Sequence, residues 1–146
     1  MNLLHICNQC QITAYQISLC FAIARKTKAC TNLDSAICFL ISAKIKGDDP
    51  ELHVISNLFN LTQDNTTIIK KEQEVLKTMN YDVYSLETSY DYINNFMWDT
   101  DHQKHMAFEL IKAKENIQEI ASDIASTIID ELLWIPKNNT NKRLKL

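Results

Sequence analysis

The sequence predicts an all-α protein, a bundle of five helices followed by one or two extra helices. The first observation is composition, since 146 residues include one glycine and two prolines, too few turn formers for a sheet of several strands. The second is periodicity, because apolar residues recur at helical spacing along most of the chain. The third is a repeated pairing of threonine with Asp or Gln three residues later, which caps the first turn of a helix.

The central helix is predicted at residues 31–46. Thr31 and Asp34 form a capping box at its start. Gly47 ends it, at a position that favours a left-handed backbone. A strongly apolar helix with small flanking residues is typical of the centre of a helical domain. Its apolar stripe consists of Leu33, Ile37 and Leu40.

Other elements follow from the same signals. Residues 52–61 are predicted as either a short helix or a turn, and residues 98–105 as a polar break. The pattern is helical from about 104 to 135, with a charged interruption, KAKEN, at residues 112–116. The basic cluster at residues 25–28 is predicted to be a solvated helix end. Further helices are predicted at residues 2–10, 14–28, 65–80 and about 88–97.

Two charges of opposite sign lie inside apolar stripes. Lys44 continues the stripe of the central helix by one turn, and Glu72 lies between Ile68 and Val75 in the predicted helix at residues 65–80. One interpretation is a structural ion pair, or two side chains that reach the rim of the core. The other is that both charges face a partner protein, where they fix register and specificity. The sequence leaves both interpretations open.

The chain contains none of the residue patterns of common catalytic or cofactor sites. It has no P-loop, no glycine-rich dinucleotide turn, no HExxH and no GxSxG. Cys7 and Cys10 lack a second pair at zinc spacing and are predicted to be core or half-buried thiols. The net charge of −3 lacks the basic excess of most DNA-binding domains. We therefore expect no catalysis, no cofactor, no metal and no direct contact with nucleic acid.

Four stretches are similar, in order and spacing, to the cyclin box. The likeness extends from residue 3 to about residue 97. Ala43-Lys44 stands at the family's alanine–lysine signature, and Glu72 at the glutamate that precedes the run Val75-Leu76-Lys77. The four stretches are LLHICNQCQIT (3–13), AYQISLCFAIARKTKA (14–29), LDSAICFLISAKIK (33–46) and IIKKEQEVLKTMNYDVYSLETSYDYINNF (68–96).

The resemblance implies a regulatory subunit that binds and activates a cyclin-dependent serine/threonine kinase and has no catalytic residues of its own. In cyclins the lysine and the glutamate at these places contact the kinase, so Lys44 and Glu72 are the expected kinase contacts. Ile41, Ile68 and Leu76 are the expected apolar residues of the same kinase-binding face. No cofactor, small-molecule substrate or membrane partner is expected.

The resemblance also divides the chain. Residues 1–98 match the cyclin box, residues 99–136 resemble the start of a second, shortened repeat, and residues 137–146 form a basic polar tail. Residues 119–138 look like the start of the second box of transcriptional cyclins of the K and T kind. We therefore expect a nuclear protein, with a cytoplasmic location left open, whose kinase phosphorylates the C-terminal domain of RNA polymerase II. The tail is either part of a nuclear import signal or a disordered terminus.

Three alternatives stay open. One is a cell-cycle cyclin. The second is a helical adaptor among other transcription proteins, because the factor-IIB-type repeat is similar to the cyclin box, although the acidic net charge counts against a DNA-facing surface. The third is a plain helical bundle in which Lys44 and Glu72 form an internal pair.

Overall fold

The computed structural model describes residues 3–133, which form eight helices and no strand. The all-α prediction is therefore confirmed for this part of the chain. In chain order the helices are α1 (Leu3–Gln9), α2 (Ala14–Thr27), α3 (Asn32–Ile45), α4 (Leu52–Phe59), α5 (Asn65–Thr78), α6 (Ser89–Asn95), α7 (Asp101–Lys114) and α8 (Ala121–Leu133).

Helix α3 is the central element, as its sequence predicts. Residues 35–43 are all buried, and α3 packs against α1, α2, α4 and α5. A helix that is apolar around its whole circumference requires neighbours on every side. Its small residues, which include Ala36 and Ala43, allow those neighbours to approach closely.

Both ends of α3 have the predicted caps. At the start, the Asp34 backbone N–H donates to the Thr31 hydroxyl at 3.1 Å, and the Thr31 N–H donates to the Asp34 carboxylate at 3.2 Å. At the end, Gly47 has a φ of +101°. The N–H of Asp48 then donates to the carbonyl of Ala43 at 2.9 Å, which is a Schellman-type termination.

The segment at residues 52–61 forms a helix rather than a turn. Its residues Ile55 and Phe59, four positions apart, are both buried, and the Phe59 ring meets the Phe39 ring of α3 edge-on at 5.7 Å. Burial of this face explains why α4 forms although its length is only eight residues. The described chain up to residue 98 thus has six helices, one more than the five predicted for the bundle.

The predicted polar break at residues 98–105 is wrong from residue 101 onward, because α7 begins at Asp101. The Thr100 hydroxyl accepts a hydrogen bond from the Gln103 N–H at 3.1 Å and caps the helix. The predicted interruption at residues 112–116 is a loop only in part, because residues 112–114 belong to the last turn of α7 and the loop covers residues 115–120. Ile117, which the helical pattern included, lies in this loop.

The core consists of two clusters of buried side chains. The larger cluster joins α1 to α5. The smaller one joins α6, α7 and α8 with Ala14 of α2, and α2 packs against both α6 and α7. No helix within residues 3–133 has the length and apolar character needed to cross a membrane. The predictions for Trp134, Ile135 and the basic tail fall outside the described residues.

Candidate protein-binding site

Lys44 lies where α3 leaves the core. The nine residues before it are buried, whereas 44% of the Lys44 side chain is exposed. A cation in the last turn of a helix is stabilised by the helix dipole. The charge that interrupts the apolar stripe therefore lies at the edge of the core rather than within it.

Glu72 is the buried partner of Lys44. It lies halfway along α5 between Ile68 and Val75, which are also buried, and only 8% of its side chain is exposed. The Lys44 Nζ is 2.9 Å from Glu72 Oε2 and 3.1 Å from Oε1. A buried carboxylate needs such a cation to offset the loss of its hydration. The two charges that the sequence marks as unusual are thus paired with each other, across α3 and α5.

This pairing leaves room for a further contact. An ammonium group has three N–H donors, and nearly half of the Lys44 side chain faces solvent. Lys44 can hold Glu72 and still donate to an acceptor on another protein. The two interpretations from the sequence, an internal pair and a partner contact, are therefore compatible.

A groove of about 330 Å³ begins at this ion pair. It is open to solvent between α3, α5 and the chain that follows α5. Two of its side chains, Tyr81 and Tyr84, are 65% and 84% exposed. Tyrosines with an apolar ring and a free hydroxyl are enriched at protein interfaces. The groove is lined, besides the ion pair, by Ile41, Ile45, Leu76, Tyr81, Val83 and Tyr84.

The chain reverses after α5 through two residues with left-handed backbone. Asn80 and Tyr81 have φ values of +53° and +57°, and the Tyr81 N–H donates to the Leu76 carbonyl at 2.8 Å. Asparagine tolerates this conformation, but a bulky tyrosine is unfavourable there. Burial of Val83 two residues later helps to hold the turn.

The structure brings four of the five predicted site residues together. Lys44, Glu72 and Leu76 line the groove, and Ile41 forms part of its floor with 2% of its surface exposed. Ile68 is separate, because it is fully buried in the larger core cluster. Its side chain therefore packs within the protein and offers no surface to a partner.

A second buried ion pair, between Arg25 of α2 and Glu115 after α7, was missed by the sequence analysis. Their side chains are 14% and 0% exposed. The Ser89 hydroxyl donates to Glu115 Oε1 at 3.3 Å, and Arg25 Nε and Nη2 donate to the Asn116 carbonyl at 3.1 and 2.8 Å. These bonds connect α2, the start of α6 and the loop between α7 and α8.

Arg25 corrects the prediction of a solvated helix end. Lys26 and Lys28 are exposed, but Arg25 turns inward. Burial lowers the pKa of Arg25 to about 10, so the guanidinium is still charged at neutral pH. Its partner is 90 positions away in the chain, and no local pattern in the sequence identifies it.

The described residues provide no metal site. Within residues 3–133 no group of three or more His, Cys, Asp or Glu side chains is placed to hold a metal ion. All five cysteines are free. Cys7 is buried as predicted, whereas Cys10 is exposed rather than half-buried.

Comparisons with known proteins find no relative of this chain. No protein-family model, no curated protein and no solved structure matches it.

Proposed function

We propose that the protein is a cyclin-like regulatory subunit that binds and activates a cyclin-dependent serine/threonine kinase. The observation that carries the proposal is the Lys44–Glu72 pair at the head of a groove with two largely exposed tyrosines. The resemblance of residues 3–97 to the cyclin box assigns a kinase contact to the same two charges.

Activation in this proposal requires no catalytic group on the chain. The kinase transfers the phosphoryl group, and the subunit binds the active conformation of the kinase more tightly than the inactive one. A shift from about 1% to about 99% active kinase requires a roughly 10⁴-fold preference for the active form. An apolar groove with a charged end is suited to such a preference. Its contacts with the kinase depend on the position of the kinase segment that it binds, and that position differs between the two conformations.

The proposed role is in transcription, through phosphorylation of the C-terminal domain of RNA polymerase II by the bound kinase. This part rests on the resemblance of residues 119–138 to the start of the second box of transcriptional cyclins. It also implies a nuclear location. One alternative is favoured by a specific observation: the direct contact of Lys44 with Glu72 is what a plain bundle with an internal ion pair would have.

A pull-down with a charge-swapped variant tests the proposal. The purified chain is used to recover proteins from extract of its own cells, with Lys44→Glu/Glu72→Lys in parallel. The swap preserves an attraction within the chain but reverses both charges that a partner meets. We expect wild type to recover a serine/threonine kinase, identified by mass spectrometry and by phosphorylation of a polymerase heptad peptide, and the variant to lose it.

A second pair of variants separates binding from folding. Tyr84 and Met97 are 84% and 91% exposed, and neither truncation to alanine removes a buried side chain. We expect Tyr84→Ala to lower kinase recovery and Met97→Ala, which lies outside the groove, to leave it unchanged. Recovery of no kinase by wild type would refute the proposal. Equal recovery by wild type and both groove variants would place the interface elsewhere.

A further inference from the structure

The groove at the Lys44–Glu72 pair continues past Tyr84. A second depression, of about 90 Å³, shares Ile45, Val83 and Tyr84 with the groove. A third, of about 240 Å³, shares Leu86 and Asp91 with the second. The three adjoining depressions lead from the end of α3 to the first turn of α6, and we refer to them together as the extended groove.

The two ends of the extended groove differ in charge. Lys44 lies at one end, and 44% of its side chain is exposed. At the other end the carboxylates of Glu87 and Asp91 line the surface and are both exposed. Glu87 accepts a hydrogen bond from the Tyr92 hydroxyl at 3.0 Å. Within residues 3–133 no cation lies within ion-pair distance of either carboxylate.

Uncompensated carboxylates beside an apolar groove indicate what a bound segment must carry. Pairs of opposite charge at the rim of an interface direct association and select the orientation of the partner, and like charges disfavour the reverse orientation. The apolar and tyrosine side chains between the two ends are suited to apolar side chains of the same segment.

We propose that the extended groove binds one amphipathic segment of the partner kinase in a fixed direction, with a Lys or Arg of that segment over Glu87 and Asp91. An acceptor group at the opposite end of the segment meets Lys44, and the apolar residues between them pack on Tyr81 and Tyr84. This inference rests on the proposed function, and adds the charge pattern and direction of the bound segment.

Charge reversal with a matched control tests the inference. Glu87 directly precedes Thr88, the N-cap of α6, and Asp91 lies in the first turn. Asp99 likewise directly precedes Thr100, the N-cap of α7, and Asp101 is the first residue of that helix and so also lies in its first turn. The variants Glu87→Lys/Asp91→Lys and Asp99→Lys/Asp101→Lys therefore make the same change in charge before the N-cap and in the first turn of a helix, one pair in the extended groove and one outside it.

The readout is the affinity of each variant for the kinase that wild type recovers, measured at low and high salt. We expect the groove reversal to weaken binding roughly tenfold at low salt and less at high salt, since exposed charge pairs are screened. The control reversal should leave binding within about twofold of wild type. An equal effect of both reversals, or no effect of the groove reversal, would overturn the inference.

Cross-linking identifies the segment directly. A photoreactive benzoylphenylalanine at position 91 should attach to a kinase peptide that contains Lys or Arg within one helical turn of the attachment point. Reversal of that kinase residue to Glu should restore binding to Glu87→Lys/Asp91→Lys. Attachment to a segment without a cation, or failure of the restoration, counts against the inference.

The outcomes also separate this inference from the proposed function. If wild type recovers no kinase, both fail together. If the kinase binds and is lost with Lys44→Glu/Glu72→Lys but is insensitive to the charges at positions 87 and 91, the proposed function stands and the inference fails.

Discussion

At the scale of single residues, the candidate site depends on the unequal burial of Lys44 and Glu72. The lysine can turn to water if its partner is lost, because 44% of its side chain is already exposed. The glutamate cannot, because only 8% of its side chain is exposed. Loss of Lys44 and loss of Glu72 should therefore have different consequences for the stability of the fold.

We expect Lys44→Ala to lower the free energy of unfolding by about 1–2 kcal/mol, since it leaves a buried carboxylate without a partner. Glu72→Met should change it by less than about 1 kcal/mol, because a buried charge is replaced by an apolar side chain of similar length. Urea unfolding of both variants measures the difference. Lys70→Ala, at an exposed position of α5, is the control and should have almost no effect.

An equal loss of stability in Lys44→Ala and Lys70→Ala would show that the ion pair contributes nothing to the fold. A larger loss in Glu72→Met than in Lys44→Ala would also contradict the prediction. It would mean that the Glu72 carboxylate stabilises the fold more than an apolar side chain at the same position does.

At the scale of elements, Asp34 connects two helices. Its carboxylate caps α3 by accepting the backbone N–H groups of Cys30 and Thr31, and it pairs with Lys71 of α5 at 3.3 Å. Burial raises the pKa of Asp34, but these hydrogen bonds and the Lys71 charge outweigh it and hold the pKa below its ordinary value of 3.8. The start of α3 and the position of α5 therefore depend on one ionised group.

This lowered pKa predicts how stability changes with pH. Because the unfolded chain binds a proton at Asp34 more readily than the folded protein does, the stabilisation is complete above the unfolded pKa and is lost as pH falls through the folded one. We expect Asp34→Asn to be less stable than wild type by about 1 kcal/mol at neutral pH. The difference should shrink below the ordinary pKa of 3.8.

Urea unfolding of wild type and Asp34→Asn across this pH range measures the effect. Asp99→Asn is the control, since Asp99 is exposed and caps no helix. If the difference in free energy of unfolding between wild type and Asp34→Asn stays constant down to acid pH, ionisation of Asp34 is not what stabilises the helix start.

At the scale of the whole molecule, the C-terminal helices complete the core. The smaller cluster is formed by Ile93, Ile111, Ile124 and Ile128, together with Ala14 at the start of α2. The Arg25–Glu115 pair also joins α2 to the loop after α7. Both connections cross residue 98, where the sequence resemblance places the end of the cyclin box.

We therefore expect a fragment of residues 1–98 to fold poorly. It would expose Ile93 and leave Arg25 without the Glu115 carboxylate. Loss of the apolar contacts with α7 and α8 lowers the free energy of unfolding by several kcal/mol. Circular dichroism and thermal melting of fragments 1–98 and 1–133 test this. A cooperative transition of 1–98 at a temperature close to that of 1–133 would show that the first six helices form an independent unit.

The sequence alone determined those features that depend on near neighbours in the chain. Caps such as Thr31–Asp34, the stop at Gly47 and the apolar spacing of α3 act between residues three or four apart, so their pattern is readable without the fold. The same local spacing marked Lys44 and Glu72 as unusual. Where the local signal was mixed, at residues 52–61 and 98–105, the prediction was incomplete or partly wrong.

The tertiary structure decided which distant residues meet. Lys44 and Glu72 are 28 positions apart, and Arg25 and Glu115 are 90, so their contacts depend on how the helices pack. The groove exists only where α3, α5 and the turn at Tyr81 come together. Helix packing places Ile68 in the core and not in the lining of the groove. Side-chain spacing sets which face of a helix is apolar, but the neighbours that cover that face decide what remains open to a partner.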